Sequence, residues 1–88
     1  MNPPRWILSA HAADVLPERD IDSEWIARVL REPLPVEADK AGASLYHALA
    51  PIAERDGRIL RVVYRWSVDP CLVVTAFFDR VETRKLRQ

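Results

Sequence analysis

The sequence has little of several residue types on which particular kinds of protein depend. Cys71 is the only cysteine, so the chain has no internal disulfide and no cysteine cluster with the spacing of zinc ligands. Only two glycines are present, and neither a glycine-rich phosphate loop nor a G-x-S-x-G nucleophile elbow occurs. Nucleotide hydrolysis of the P-loop kind and serine-hydrolase chemistry are therefore not expected.

A long apolar run and an excess of one charge are also missing. No apolar stretch approaches the roughly 20 residues that span a bilayer, and the first residues lack the apolar segment of a signal peptide. We therefore expect a cytoplasmic protein without membrane contact. The charges of the 13 basic and 13 acidic residues cancel, which argues against a protein that binds nucleic acid through an overall positive charge.

The charges are nevertheless unevenly placed along the chain. Residues 1–57 carry six basic and ten acidic residues, whereas residues 58–88 carry seven basic and three acidic ones. Such asymmetry can arise by chance in a short chain, or it can serve docking on a partner.

The 88 residues, about half of them apolar, are enough for one compact domain over residues 1–88. Two short helices are predicted first. One is capped by Ser9 and runs over residues 10–16 up to Pro17; the other is capped by Asp22 and stops at Pro33. The second helix carries an apolar stripe that must pack against another part of the protein. The stripe consists of Trp25, Ile26, Val29 and Leu30.

Strands are predicted after the helices, weakly at 34–38 and 44–50 and more strongly at 58–66 and 72–79. Alternation in the third strand predicts a core face of Leu60, Val62, Tyr64 and Trp66 and an opposite face of Ile59, Arg61, Val63 and Arg65. Residues 80–88 form either a short surface helix or a flexible tail. The predicted fold is α+β, with two N-terminal helices followed by a curved antiparallel sheet of about four strands.

Arg61 and Arg65 are candidate catalytic residues because they project from one strand in the same direction. A planar, permanently charged guanidinium binds phosphate oxygens bidentately and can stabilise charge that develops during phosphoryl chemistry. The simpler interpretation is that both arginines lie on the wet face of an antiparallel sheet.

His11 and His47 are the natural candidates for proton transfer near neutral pH. Each can equally be an ordinary helix or strand residue. The carboxylates nearby do not complete a ligand set, so neither a metal nor another cofactor is expected. Phe77, which alternation places on the same side of the sheet as Thr75, is a candidate stacking platform for an RNA base, although aromatic residues in a small protein are more often core.

Several segments together resemble a known bacterial family. They are His11-Ala12, residues 16–21, residues 29–33, residues 57–64 and residues 73–76. This pattern resembles the family called domain of unknown function 4258, which itself looks like a relative of the RelE and BrnT toxins. His11 and Arg19 match the ends of the family segment H-A-x-x-R-M-x-x-R-G-I, but Val15 stands where an arginine is common and Asp20 where a glycine is.

The resemblance implies a fold with helices before a curved antiparallel sheet, and an activity that cleaves messenger RNA without a metal. In that case Arg61 and Arg65, assisted by Arg19, stabilise charge, and His11 or His47 moves a proton. The resemblance also implies phosphate contacts for the basic tail, namely Arg80, Arg84, Lys85 and Arg87, while Thr75 and Phe77 are RNA-binding candidates from their place on the predicted sheet. The implied partners are RNA or the ribosome and a neutralising antitoxin protein.

Two functions remain open from the sequence. One is a RelE/BrnT-like toxin-fold protein that is a metal-independent ribonuclease or an inactive descendant of one. The other is a non-enzymatic interaction module that pairs with a partner protein or with itself as a homodimer through a sheet edge or exposed apolar residues.

Overall fold

The computed structural model describes residues 5–42 and 44–87, which contain five strands and three α-helices. In chain order these are β1 (Trp6–Leu8), α1 (Ala10–Glu18), α2 (Ser23–Arg31), β2 (Glu37–Ala38), β3 (Leu45–Ile52), β4 (Arg58–Arg65), β5 (Cys71–Phe78) and α3 (Arg80–Leu86), with a 3₁₀ turn at Ala53–Arg55. The α+β class is confirmed. No helix within this part of the chain is long and apolar enough to cross a membrane.

The strands form one mixed sheet in the order β1-β5-β4-β3-β2. β1 pairs with β5 in parallel, and the other neighbours are antiparallel. The prediction of helices followed by an antiparallel sheet of about four strands was therefore not exact, since a strand precedes α1, the sheet has five strands, and one of its pairs is parallel. Three residues are too few to show an alternating pattern, and their partner lies more than sixty positions away.

The two N-terminal helices begin at their predicted caps. Ser9 Oγ accepts a hydrogen bond from the N–H of Ala12 at 3.0 Å, and Asp22 Oδ1 accepts one from the N–H of Glu24 at 2.8 Å. α1 does not stop at Pro17 as predicted. The N–H of Arg19 still reaches the carbonyl of Val15 at 3.0 Å, so the proline occupies the last turn.

α1 and α2 pack on one face of the sheet, which we call the helix face. Alternate residues of β3 and β4 point into this layer, as the period of a strand requires. The buried core cluster comprises Ala12, Leu16, Ile21, Ile26, Val29, Leu30, Ala48, Ala50, Ile52, Leu60, Val62, Val73 and Ala76. The apolar stripe of α2 is thus buried as predicted, with Trp25 partly covered at its margin.

One predicted position in the β4–β5 hairpin was wrong, and the hairpin also contains a bulge. Trp66 was expected in the core but lies just beyond β4 with 48% of its surface exposed. In β5, Val73 pairs with Tyr64 and Thr75 pairs with Val63, so Val74 forms a β-bulge. Because one extra residue reverses the alternation, Val73 faces the core together with Ala76.

The opposite face of the sheet, which we call the open face, is only partly exposed to solvent. Ile59 and Val63 are buried there, so this side of β4 is not the polar face that the arginines suggested. α3 covers part of it and is capped by Asp79, whose Oδ1 accepts a hydrogen bond from the N–H of Glu82 at 2.9 Å. Residues 80–86 are therefore a helix rather than a flexible tail, and residue 88 lies outside the described residues.

Candidate functional site

Strand register brings His47 and Arg61 together on the open face. Glu37 of β2 pairs with His47 of β3, which in turn pairs with Val63 of β4. Arg61 lies two residues before Val63, on the same side, and is therefore a diagonal neighbour of His47. Register and alternation together place all three polar side chains over one patch of the sheet.

The Arg61 guanidinium is the centre of this patch. Its Nη1 lies 2.8 Å from Nδ1 of His47, and its Nε donates to Oδ2 of Asp79 at 2.8 Å. A longer contact of 3.4 Å joins Nη1 to Oε2 of Glu37. The Arg61 side chain is 13% exposed and that of Asp79 is 14% exposed, so this ion pair is largely shielded from water.

His47 also contacts Asp39, whose Oδ1 lies 2.7 Å from Nε2 of the ring. An arginine can only donate, so Nδ1 of His47 accepts from Arg61 and Nε2–H donates to Asp39. That hydrogen bond, together with one from the N–H of Ala41, lowers the pKa of Asp39. We call the five residues the Arg61 cluster: Glu37, Asp39, His47, Arg61 and Asp79.

Asp79 is ionised in this arrangement. Burial raises the pKa of its carboxyl, but hydrogen bonds from the N–H of Glu82 and from Arg61 outweigh burial, so the pKa lies below its ordinary value. The cluster thus holds one guanidinium among three carboxylates. It lines an open pocket of about 400 Å³ whose other charged residues are Lys40, Glu82 and Lys85, which leaves no cationic excess.

The other predicted catalytic residues lie elsewhere. Arg65 is on the same strand four residues from Arg61, about 13 Å along it, and faces Leu45 and Leu72 on the neighbouring strands. His11 is exposed in the first turn of α1. The structure therefore joins one predicted histidine, His47, to one predicted arginine, Arg61, by a direct contact, whereas Arg65 lies four residues further along β4 and His11 lies on α1.

Arg19 joins α1 to the sheet. Its Nη1 donates to the carbonyl of Ala76 at 2.7 Å and to Oγ1 of Thr75 at 3.2 Å. These contacts lie on the part of β5 beyond its pairing with β1. Holding this edge of β5 against α1 is therefore a structural role for both Arg19 and Thr75.

Phe77 and the tail residues surround the end of the sheet near α3. Phe77 pairs with Arg61 across the β4–β5 ladder and is 37% exposed. A second open pocket, of about 650 Å³, borders α3. We call it the arginine pocket, and it is lined by Arg58, Phe78, Asp79, Arg80, Thr83, Arg84 and Arg87. Lys85 lies outside it and pairs with Glu82 at 3.3 Å.

Four residues of these sites were not among those predicted from the sequence, and they are Glu37, Asp39, Asp79 and Arg58. Asp79 had a visible signal, because an aspartate followed three residues later by Glu82 is typical of a helix start. Asp39 follows a strand of two residues, which is too short to predict its partner across the turn. Arg58 lies close to the α3 arginines only in the folded protein, because it is at the start of β4 and far from α3 in the sequence.

The part of the chain that the structure describes contains no group of three histidine, cysteine or acidic side chains that could hold a metal ion. A family model described as "Domain of unknown function (DUF4258)" matches residues 8–78, which is most of the chain. Comparison with curated proteins and with solved structures found no match.

Proposed function

From the premise that this chain belongs to the DUF4258 family, whose description names no activity, we propose that it is a toxin-like ribonuclease that cleaves RNA without a metal ion. His47 is the general base and Arg61 stabilises the charge that develops on the phosphate. The likeness of this family to the RelE and BrnT toxins favours RNA as the substrate.

One observation carries this proposal, the contact chain Asp39–His47–Arg61, with distances of 2.7 Å and 2.8 Å. Asp39 holds Nε2–H, so the lone pair of Nδ1 is directed away from it. That nitrogen is the one that can take a proton from a ribose 2′-hydroxyl. In the absence of RNA, Arg61 occupies this lone pair.

RNA entering the pocket would rearrange the contact between Arg61 and His47. The guanidinium turns an N–H from Nδ1 to a phosphate oxygen, which frees Nδ1 for the 2′-hydroxyl. The 2′-oxygen then bonds to phosphorus, its proton moves to Nδ1, and the bond to the 5′-oxygen breaks. The products are a 2′,3′-cyclic phosphate and a 5′-hydroxyl, whose proton comes from solvent.

Asp79 positions Arg61 for this step. Its carboxylate holds Nε at 2.8 Å, which leaves the two terminal nitrogens to move between histidine and phosphate. The same carboxylate offsets the positive charge. The cluster therefore orients a phosphate but contributes little to RNA affinity, for which other cations are needed.

The test is cleavage of a defined RNA in EDTA at low salt, alone and with ribosomes, with analysis of the product ends. His47→Gln removes the base and should lower the rate about 100-fold or more. Arg61→Ala should lower it by a similar factor, because a preorganised charge is lost. His11→Gln and Arg31→Ala are the matched comparisons, since both residues are exposed on the helices, and they should retain the parent rate.

Cyclic phosphate ends that disappear with His47→Gln and persist with His11→Gln would support this reaction. Retained cleavage in His47→Gln would contradict the assignment of the base. Absence of cleavage with and without ribosomes would favour the interaction module instead. Exposed apolar side chains near the β2 edge and in the β4–β5 turn support that second candidate, and they are Leu34, Val36, Trp66 and Val68.

A further inference from the structure

We propose that the arginine pocket is a binding site for single-stranded RNA, in which α3 holds the phosphates and Arg58 presents a flat surface to a base. This inference rests on the proposed function in its choice of ligand. It assigns the affinity for RNA to a part of the molecule separate from the Arg61 cluster.

Charge is concentrated in this pocket although the chain is neutral overall. Four arginines and one carboxylate line it, and that carboxylate, Asp79, already accepts hydrogen bonds from Arg61 and from the N–H of Glu82. Arg80 and Arg84 form no ion pair with any residue in the described part of the chain. Their charges therefore remain available to an anion.

The spacing of these arginines suits an extended backbone of phosphates. Arg80, Arg84 and Arg87 occupy positions i, i+4 and i+7 along α3, so they follow one face of the helix and its C-terminal cap. Thr83 anchors the helix from the sheet side, since its Oγ1 accepts the N–H of Ile59 at 2.8 Å. A row of cations on an anchored helix is a preorganised surface for a polyanion.

Arg58 adds a stacking surface at the edge of the pocket. The centre of its guanidinium lies 4.8 Å from the centroid of the Phe78 ring. Trp25 meets the same ring edge-on, with centroids 6.3 Å apart, so Phe78 is itself held in place. Unpaired RNA bases stack on guanidinium planes, and the exposed side of Arg58 offers such a plane.

The pocket also adjoins the proposed catalytic group. Asp79 lines both the arginine pocket and the pocket of the Arg61 cluster. RNA held along α3 is thus led past the N-terminus of this helix towards His47. Binding and cleavage would then use neighbouring but different residues, which makes them separable by mutation.

The experiment measures binding of two labelled 12-nucleotide single strands of one sequence, RNA and DNA, at low salt. The DNA has no 2′-hydroxyl, so the proposed reaction cannot cleave it and it reports binding alone. Arg80→Ala/Arg84→Ala should weaken binding of both strands at least tenfold. It should also reduce the slope of log K against log salt concentration by about 1.4, or about 0.7 for each phosphate contact.

The matched control is Arg5→Ala/Arg31→Ala, which removes the same charge from exposed positions outside the pocket. It should change affinity less than threefold. Arg58→Lys keeps the charge but loses the plane, so it should weaken binding, though less than Arg58→Ala, which loses both. Alanine favours a helix, so α3 should persist in the double variant. The melting temperature of the variant protein checks this.

An Arg80→Ala/Arg84→Ala protein that binds within twofold of the parent, or no worse than the control pair, would overturn the site. Arg58→Lys with the parent's affinity would overturn the stacking role. Arginine-dependent binding by a protein that never cleaves RNA would uphold this site while the proposed reaction fails. Cleavage that depends on His47 but not on the α3 arginines would uphold the proposed reaction while this binding site fails.

Discussion

Asp20 lies at a position where this chain departs from the family pattern. Its φ of 54° is in the left-handed region, directly after α1 and its cap. The family pattern has a glycine here, and glycine is the residue that adopts this conformation without a steric cost. Aspartate is among the few others that tolerate it. The substitution therefore keeps the turn between α1 and α2 at some cost in strain.

Asp20→Gly should raise the free energy of unfolding by about 0.5–1 kcal/mol, because the relief of strain exceeds the added entropy of the unfolded chain. Urea titration of the parent and the variant measures the difference. Asp14→Gly, within α1 and exposed, is the control and should lower stability. A loss of stability in Asp20→Gly would show that the aspartate side chain has a role of its own.

α3 is the element on which both proposals depend, and a buried hydroxyl fixes it to the sheet. Thr83 is 7% exposed, accepts a hydrogen bond from the N–H of Ile59 at 2.8 Å and donates one to the carbonyl of Asp79 at 2.6 Å. Asp79 in turn holds Arg61. The position of α3 thus sets the geometry of the Arg61 cluster as well as that of the arginine pocket.

Thr83→Val keeps the shape but removes the hydroxyl, which leaves a buried N–H of Ile59 without its acceptor. We expect a loss of about 1–3 kcal/mol of unfolding free energy. Thr83→Ser retains the hydroxyl and should lose less than Thr83→Val. Chemical denaturation measures both, and hydrogen exchange at the Ile59 amide localises the effect. Equal losses in the two variants would mean that the methyl group, not the hydroxyl, anchors α3.

At the scale of the whole molecule, acid should destabilise the fold because several carboxylates are held ionised. The hydrogen bond from Arg28 lowers the pKa of Glu54 from 4.5 to about 2, and this pair joins α2 to the 3₁₀ turn. The pKa values of Asp39 and Asp79 are lowered as well. Each such group contributes stability above its unfolded pKa and loses it as the pH falls through its folded pKa.

Glu54→Gln tests this directly. The parent should be more stable than the variant at pH 7, and the difference should shrink as the pH falls from 4.5 towards about 2. Urea midpoints at a series of pH values measure the effect, which salt should weaken because the pair is partly exposed. Glu18→Gln is the control, because it removes an exposed carboxylate on α1 that forms no ion pair with the described residues. Parallel curves for Glu54→Gln would contradict the link between this ion pair and acid sensitivity.

Local signals were the ones that could be predicted. Ser9 and Asp22 cap the helices that they were expected to cap, because capping depends on residues only two or three positions apart. The strong alternation of residues 58–66 correctly indicated that Leu60 and Val62 are core. By contrast, β1 and the bulge at Val74 escaped prediction, since each is defined by pairing with a distant strand.

The sequence by itself determined that this is a small α+β protein with two capped helices, a β4–β5 hairpin and a basic C-terminal third. Only the tertiary structure decided that His47 is hydrogen-bonded to both Arg61 and Asp39, that carboxylates from β2, its turn and the start of α3 surround Arg61, and that Arg58 joins the α3 arginines. Composition and periodicity act within a few residues. Contacts between distant strands follow from register and packing, which depend on the whole chain at once.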